Sequence, residues 1–338
     1  MLSNLRLLQI QTALAVCISS VSLLNASENV LTNTSLLPTS DFEVMLSKSF
    51  KYKKYVALKD INANEISLRA KINNFYGLYV NYESTNINFK GFNLHNQKIK
   101  LINKIGLLNR KNLRITTDLI YERNKANNVD ITHNKTLNQI LNKVAPDSNI
   151  KIVDNEIHYS STTINIYDKN GNFIQPQVNI SSLYSDSFGI KTYLGYELTK
   201  NSYFDFYLGY IKNYIYGKVS FQPNSDFINT DNMSDSISRD ETNMLAGFTY
   251  FQRFGDFKLE FNYEYNKFSR DMKKEYNVNQ LADTVFNYSF TKKLHGFFQI
   301  KYMTHQLMNY IPYSYNKLTS YSFSRHYGFF KTGLMYEF

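Results

Sequence analysis

The chain has 338 residues and a formal charge of +10, from 38 Lys and Arg against 28 Asp and Glu. Aromatics make up 16% of it, 28 Tyr and 25 Phe with no Trp, yet mean hydropathy is only −0.40. Past the N-terminus no run approaches the roughly 18 apolar residues of a membrane-spanning helix, so a helical membrane protein is excluded. The Lys and Arg are scattered, which argues against nucleic acid as a partner, and the single Cys, Cys17, excludes a disulfide framework.

Residues 1–26 read as a secretory signal peptide. Arg6 supplies the positive start, Leu7 to Leu24 the apolar stretch, and Leu24-Asn25-Ala26 ends in the small residue that cleavage requires. A lipoprotein box at Leu14-Ala15-Val16-Cys17 is disfavoured, because Val16 is too large and the apolar run continues. Cleavage near Ala26 removes Arg6 and Cys17, leaving about +9 (10 minus 1) and no thiol. Residues 27–65 read as an N-terminal periplasmic lead or an extra strand. Of these, 27–41 are rich in Ser, Asn and Thr and are expected to be an exposed lead. In 42–60, Phe42, Val44, Leu46 and Phe50 alternate, but Lys48 breaks the face.

From residue 66 onward the pattern is a succession of amphipathic strands. Ile66, Leu68, Ala70, Ile72, Tyr76, Leu78, Val80 and Tyr82 share one face of a stretch over 66–82. Over 98–108, Ile99, Leu101, Ile105 and Leu107 share a face, with Asn103 an awkward member. Leu113, Ile115, Leu119 and Tyr121 follow a short polar turn. A connection over 123–185 is far too long to be passive. It contains an amphipathic helix at Leu137, Ile140, Leu141 and Val144, ended by Pro146, and a hairpin signal at Asn170-Gly171. The second half is more regular: strands at 188–198, 204–214, 244–250, 257–265, 286–290 and 294–302. Short turns centre near 110, 200, 255 and 292, and long loops cover 85–97, 123–185, 217–241, 270–283 and 306–324.

The last twelve residues read YGFFKTGLMYEF. Phe330, Thr332, Leu334, Tyr336 and Phe338 share one face. A strand that is apolar on one side and mixed polar on the other suits a wall between lipid and a lumen. The final eight residues also resemble the C-terminal β-signal of bacterial outer-membrane barrels, with polar Lys331, then Gly333, then the aromatics Tyr336 and Phe338. That resemblance implies recognition by the barrel-assembly machinery through those four residues, and a place in the Gram-negative outer membrane. Tight turns alternating with long loops fit the same architecture, whereas a soluble β-sandwich, which shares the composition, has no reason for that alternation. The expected fold is therefore all-β, a closed antiparallel up-and-down transmembrane β-barrel over 66–338. Ten strands are counted, or twelve if a pair hides in 42–62 or in the long connection.

Strand parity turns Arg69, Lys71, Arg114, Asp118, Glu122, Lys191, Glu197, Asp205, Lys258, Glu260, Glu264 and Lys301 toward the lumen, with Lys331 and Glu337. Charges of both signs inside a narrow barrel can pair and fill it, or line a wet pore. The leading functional reading is a narrow pore or passive channel for small solutes, with a modest anion preference at a basic mouth. The alternative is a membrane-anchored adhesion or interaction barrel acting through its loops. A hydrolase is a third reading, on His305, Ser324 and His326 near the expected outer rim. The paired aspartates of omptin-like proteases have no clear match; Asp226, Asp231, Asp235 and Asp240 read as a solvated acidic loop. Expected partners are outer-membrane lipid and lipopolysaccharide, whose phosphates suit a basic exterior. No enzyme activity, cofactor or metal site is expected.

Overall fold

The computed structural model describes residues 33–37, 42–51, 58–89, 93–110, 112–126, 129–130, 150–153, 156–159, 162–163, 166–167, 173–174, 177–222, 234–236, 238–269, 277–304 and 327–338. Twelve strands form one closed antiparallel barrel. In chain order they are β1 (Glu43–Lys51), β2 (Leu58–Asn73), β3 (Tyr76–Phe89), β4 (Asn93–Arg110), β5 (Leu113–Ala126) and β6 (Gln177–Thr199). The remaining six are β7 (Ser202–Gln222), β8 (Arg239–Phe254), β9 (Phe257–Ser269), β10 (Val278–Ser289), β11 (Leu294–Met303) and β12 (Tyr327–Glu337). Each strand pairs with the next, and β12 pairs with β1 from Glu43↔Glu337 to Lys51↔Phe329, so the ring has no open edge.

The count is twelve because the stretch over 66–82 is a hairpin and 43–51 is a strand. Asn73 pairs with Tyr76, and beyond a bulge Ala70 pairs with Leu78 and Leu68 with Val80. Partner numbers there sum to an even value, so even-numbered residues stay on one face through the turn. The sequence pattern therefore runs on as though the chain never reversed. The barrel begins at Glu43, not at 66: residues 43–65 supply β1 and the first part of β2. The loop expected over 85–97 is largely strand, since β3 runs to Phe89 and β4 starts at Asn93.

Hairpins at one end of the barrel are tight. Thr199 and Ser202 pair across Lys200-Asn201, and Phe254 and Phe257 across Gly255-Asp256, where Gly255 has φ 62°; only glycine takes that left-handed conformation without steric cost. The other end carries the long connections. Between β5 and β6, Ile150–Val153, Glu156–Tyr159 and Thr162–Thr163 form a small sheet, and Ile166–Tyr167 pairs with Phe173–Ile174 around the expected turn. The helix expected over Leu137–Val144 and the signal peptide over 1–26 lie outside the described residues.

The burial pattern is inverted relative to a soluble protein. Every one of the twelve strands presents at least one exposed large apolar side chain, among them Leu46, Ile72, Tyr82, Leu119, Leu208 and Leu334. Buried positions are instead rich in charge and amide: Asp118, Asp205, Lys258 and Asn287 are all fully buried. Exposed aromatics gather near the tight turns, including Tyr196, Phe254, Tyr288 and Tyr336, and again higher on the wall at Phe188, Tyr214 and Tyr302. The step from Phe204 to Tyr214 covers roughly 33 Å of strand, or about 25 Å of barrel height at the usual tilt. Asn103 does lie on the apolar face of β4, where it accepts a hydrogen bond from the Tyr76 hydroxyl, which offsets the cost of placing an amide there.

Candidate functional site

The interior is the candidate site. A cavity of about 290 Å³ is lined by side chains from all twelve strands, from Met45 on β1 to Lys331 on β12. Five lysines face it (Lys98, Lys100, Lys191, Lys301, Lys331) and five carboxylates (Glu65, Glu83, Glu122, Glu264, Asp283). They pair closely: Lys331 Nζ lies 2.6 Å from Glu65, Lys191 Nζ 2.8 Å from Glu264, and Lys98 Nζ 3.0 Å from Glu83. Lys100 and Glu122 are direct cross-strand neighbours, as are Lys301 and Asp283. Between the charges sit the amides of Asn81, Asn213, Asn243, Asn262, Asn266 and Asn279. An amide offers both donor and acceptor, so this wall can solvate a neutral polar guest as well as an ion.

Of the residues that parity turns inward, Glu122, Lys191, Glu264, Lys301 and Lys331 line this cavity. Arg69, Asp118, Asp205, Lys258, Glu260 and Glu337 are buried, with Arg114 half-buried. Lys71 and Glu197 are half-buried beside tight turns, where Glu197 pairs with Arg114 at 3.7 Å. Lys98, Lys100 and Lys104 were not singled out from the sequence, although they alternate with Ile99, Leu101 and Ile105, and that alternation is the signal that finds them. Of the rim residues, His305, Ser324 and His326 lie outside the described residues, as do Asp226 and Asp231. Asp240 sits 3.5 Å from Lys212 on the exterior.

Toward the tight-turn end the interior fills. Tyr193 donates to Asp118 (2.9 Å), which also holds Lys104 at 2.9 Å, and the Lys104 ammonium sits 4.3 Å above the Tyr193 ring. Tyr207 packs 5.2 Å from Tyr193 and donates to Asn262 (2.8 Å). It lies where a side chain at Gly247 would be. On the opposite wall Met45, Val285, Phe297 and Met335 make a buried apolar cluster. Below it Glu43 and Glu337 are cross-strand neighbours, each beside a basic side chain: Arg69 at 3.8 Å and His295 at 3.2 Å.

A further stretch of the chain also sits at this end. Residues 33–37, expected as an exposed lead, lie inside the barrel; Thr34 and Ser35 are buried. The Ser35 amide and hydroxyl donate to the two oxygens of Asp205 at 2.9 and 2.6 Å, and the Thr34 hydroxyl donates to Asp205 at 2.8 Å. Lys104 donates to the Thr34 carbonyl, Thr249 to the Asn33 carbonyl, and Lys191 to the Asn33 side chain at 3.0 Å. Arg114 Nε reaches Ser35 Oγ at 3.3 Å. A polar segment can hide here because the lumen, unlike a soluble core, supplies polar partners.

The four residues of the C-terminal signature sit on the seam where the ring closes. Lys331 pairs with Glu65 across β1. A Cβ on Gly333 would overlap the Leu46 carbonyl oxygen and come within 2.6 Å of the Phe297 ring. Tyr336 faces outward, and Phe338 donates its backbone N–H to the Phe42 carbonyl at 3.1 Å, with the two rings 5.6 Å apart.

No protein-family model matches this chain, and no curated protein matches its sequence. Solved structures of similar shape include the translocator domain of the autotransporter NalP from Neisseria meningitidis (10% identity, 88% of this chain and 89% of that one, TM-score 0.48). The CymD monoaromatic hydrocarbon channel (11%, 93% and 95%, TM-score 0.46) and the NanC porin (8%, 87% and 100%, TM-score 0.45) are others. These are likenesses of barrel shape, which the strand pairing establishes by itself.

Proposed function

We propose that this protein is a channel of the bacterial outer membrane that passes small polar solutes, and not an enzyme. The observation that carries the reading is a polar cavity to which all twelve strands contribute, set inside a wall whose every strand turns apolar side chains outward. Export through a signal peptide cleaved near Ala26, and insertion by the barrel-assembly machinery through Lys331, Gly333, Tyr336 and Phe338, complete the route; lipid and lipopolysaccharide then surround the wall. Twelve strands fall between barrels that side chains can fill and the 16–18 strands of open porins, so the conduit is narrow. Because the five lysines of the cavity are matched by five carboxylates, weak ion selectivity is expected instead of the anion preference that net charge suggests.

The test is conductance of purified protein in a planar bilayer. Small discrete steps are expected, with a reversal potential near zero in a salt gradient. Silence from both the intact chain and a variant lacking residues 33–37 would remove the channel reading. The ordered sheet of Ile150–Val153, Glu156–Tyr159 and Thr162–Thr163 in the longest connection would then favour a barrel that acts through its loops. Hydrolysis of a peptide or lipid that is lost in His305→Ala or His326→Ala would favour an enzyme.

A further inference from the structure

We propose that residues 33–37 are a built-in plug, seated on Asp205, that closes the tight-turn end of the lumen and must leave for the channel to conduct fully. The inference rests on the channel reading and adds the part that controls it.

The seat is built for this occupant. Asp205 is 0% exposed, and among the described residues every hydrogen bond to its carboxylate comes from Thr34 or Ser35. A buried carboxylate is tolerated only where donors satisfy it, so this one is placed for the segment and for nothing else in the wall. The wall also gives up side chains to make room. Gly195 and Gly106 both face inward; a Cβ on Gly195 would overlap Ser35 Oγ and the Asp205 carboxylate that holds it, and one on Gly106 would lie 3.2 Å from Leu37 and 3.6 Å from the Phe75 backbone. The contacts come from β4 to β8, which together make one side of the barrel.

The seat is also built to release. Its contacts are mostly hydrogen bonds made by the side chains and backbone of Asn33, Thr34 and Ser35, and only Leu36 and Leu37 are apolar. The cations that hold the segment keep partners without it: Lys104 has Asp118 at 2.9 Å, Lys191 has Glu264 at 2.8 Å, and Arg114 has Glu197 at 3.7 Å. Departure leaves Asp205 alone to be solvated, in a lumen that water can enter once the segment is gone. Asn33 borders the cavity, while Leu37 comes within 3.2 Å of where Gly106, beside the tight turn at Phe75, would carry a Cβ. The segment therefore spans from the cavity floor to the rim, and the chain rejoins the wall at Phe42.

The test compares three forms in planar bilayers, with barrel content checked by circular dichroism. Deleting residues 33–37 should raise single-channel conductance at least two-fold, and Asp205→Asn, which keeps the shape but weakens the seat, should raise the fraction of time spent in the larger state. In a Cys17→Ser background, Ser35→Cys with Gly195→Cys should form a disulfide on oxidation. Ser35 Cβ lies 2.9 Å from where Gly195 would carry a Cβ, within about 1 Å of disulfide spacing. Oxidised protein should stay in the small state and reductant should release it. Equal conductance of the intact, deleted and Asp205→Asn forms overturns the plug and leaves the channel. Failure of the two cysteines to join in folded protein overturns the seat itself. Current from neither the intact nor the deleted form overturns the channel reading, and the plug with it.

Discussion

The two halves of the lumen are made from the same strands and differ in what fills them. In the half nearer the long loops, ion pairs and amides ring a cavity of about 290 Å³. In the half nearer the tight turns, Tyr193, Tyr207, an apolar cluster and residues 33–37 leave little room. A twelve-strand ring is too wide for its own side chains to close, and the chain closes one end with a segment that belongs to no strand. The lesson is that barrel width sets how much must be added to block it, and that the added part is separable from the wall.

The most severe way to break this arrangement is to open the seam at the closed end. Phe338 binds Phe42 there through a backbone bond and ring contact. Removing Phe338 should leave the protein in the periplasm or degraded, with little reaching the outer membrane, as fractionation and immunoblotting would read. Normal insertion of the shortened chain would show that the seam and the signature are dispensable.

A smaller effect is expected within the closed half. Asp205→Ala removes the acceptor of three hydrogen bonds and should cost about 1–3 kcal/mol in reversible urea unfolding, the usual range for a buried bond to charge. Asn213→Ala, on the cavity wall, should cost under about 1 kcal/mol, because water in the cavity can replace the amide. Equal losses at the two sites would mean that the halves are equally packed. Gly247→Ala probes the same difference from the steric side. Its Cβ would overlap the Tyr207 ring, and overpacking of this kind costs about 1–3 kcal/mol; an unchanged unfolding midpoint would mean that Tyr207 has room to move.

The wall was more legible in the sequence than its contents. Alternation along each strand, together with tight turns on every second connection, suffices for a closed antiparallel barrel, because each strand must present one face to lipid and one to the lumen. The hairpin at Asn73–Tyr76 escaped because its register keeps even-numbered residues on one face. β1 stood only as the extra-strand alternative because Lys48 faces outward and interrupts the apolar stripe. The contents are harder for a physical reason. Asn33, Thr34 and Ser35 are the residues of an exposed linker, and a polar lumen accepts the same residues as water does. Parity likewise sets Lys191 and Glu264 on inward faces without revealing that they meet across two intervening strands. Composition cannot separate a polar segment outside a barrel from one inside it.

The smallest expected effect lies outside the lumen, where the comparison can be calibrated. Arg123 grips Asp186 with two bonds of 2.7 and 2.6 Å, and Tyr121 adds a third at 3.1 Å. The geometry is as favourable as that of any ion pair inside the barrel, yet the Arg123 side chain is 53% exposed. Solvent and salt screen such a pair, and exposed pairs contribute about 0.2–1 kcal/mol. Arg123→Ala should therefore shift urea unfolding by less than about 1 kcal/mol, and the shift should shrink further in about 1 M salt, where screening reaches within 3 Å. Lys104→Ala, at the filled end, removes a pair of similar length but strands the buried Asp118, so its larger loss should persist in the same salt. If both substitutions respond alike to salt, the filled end is as wet as the outer wall, and the packed half of the lumen is open to water after all.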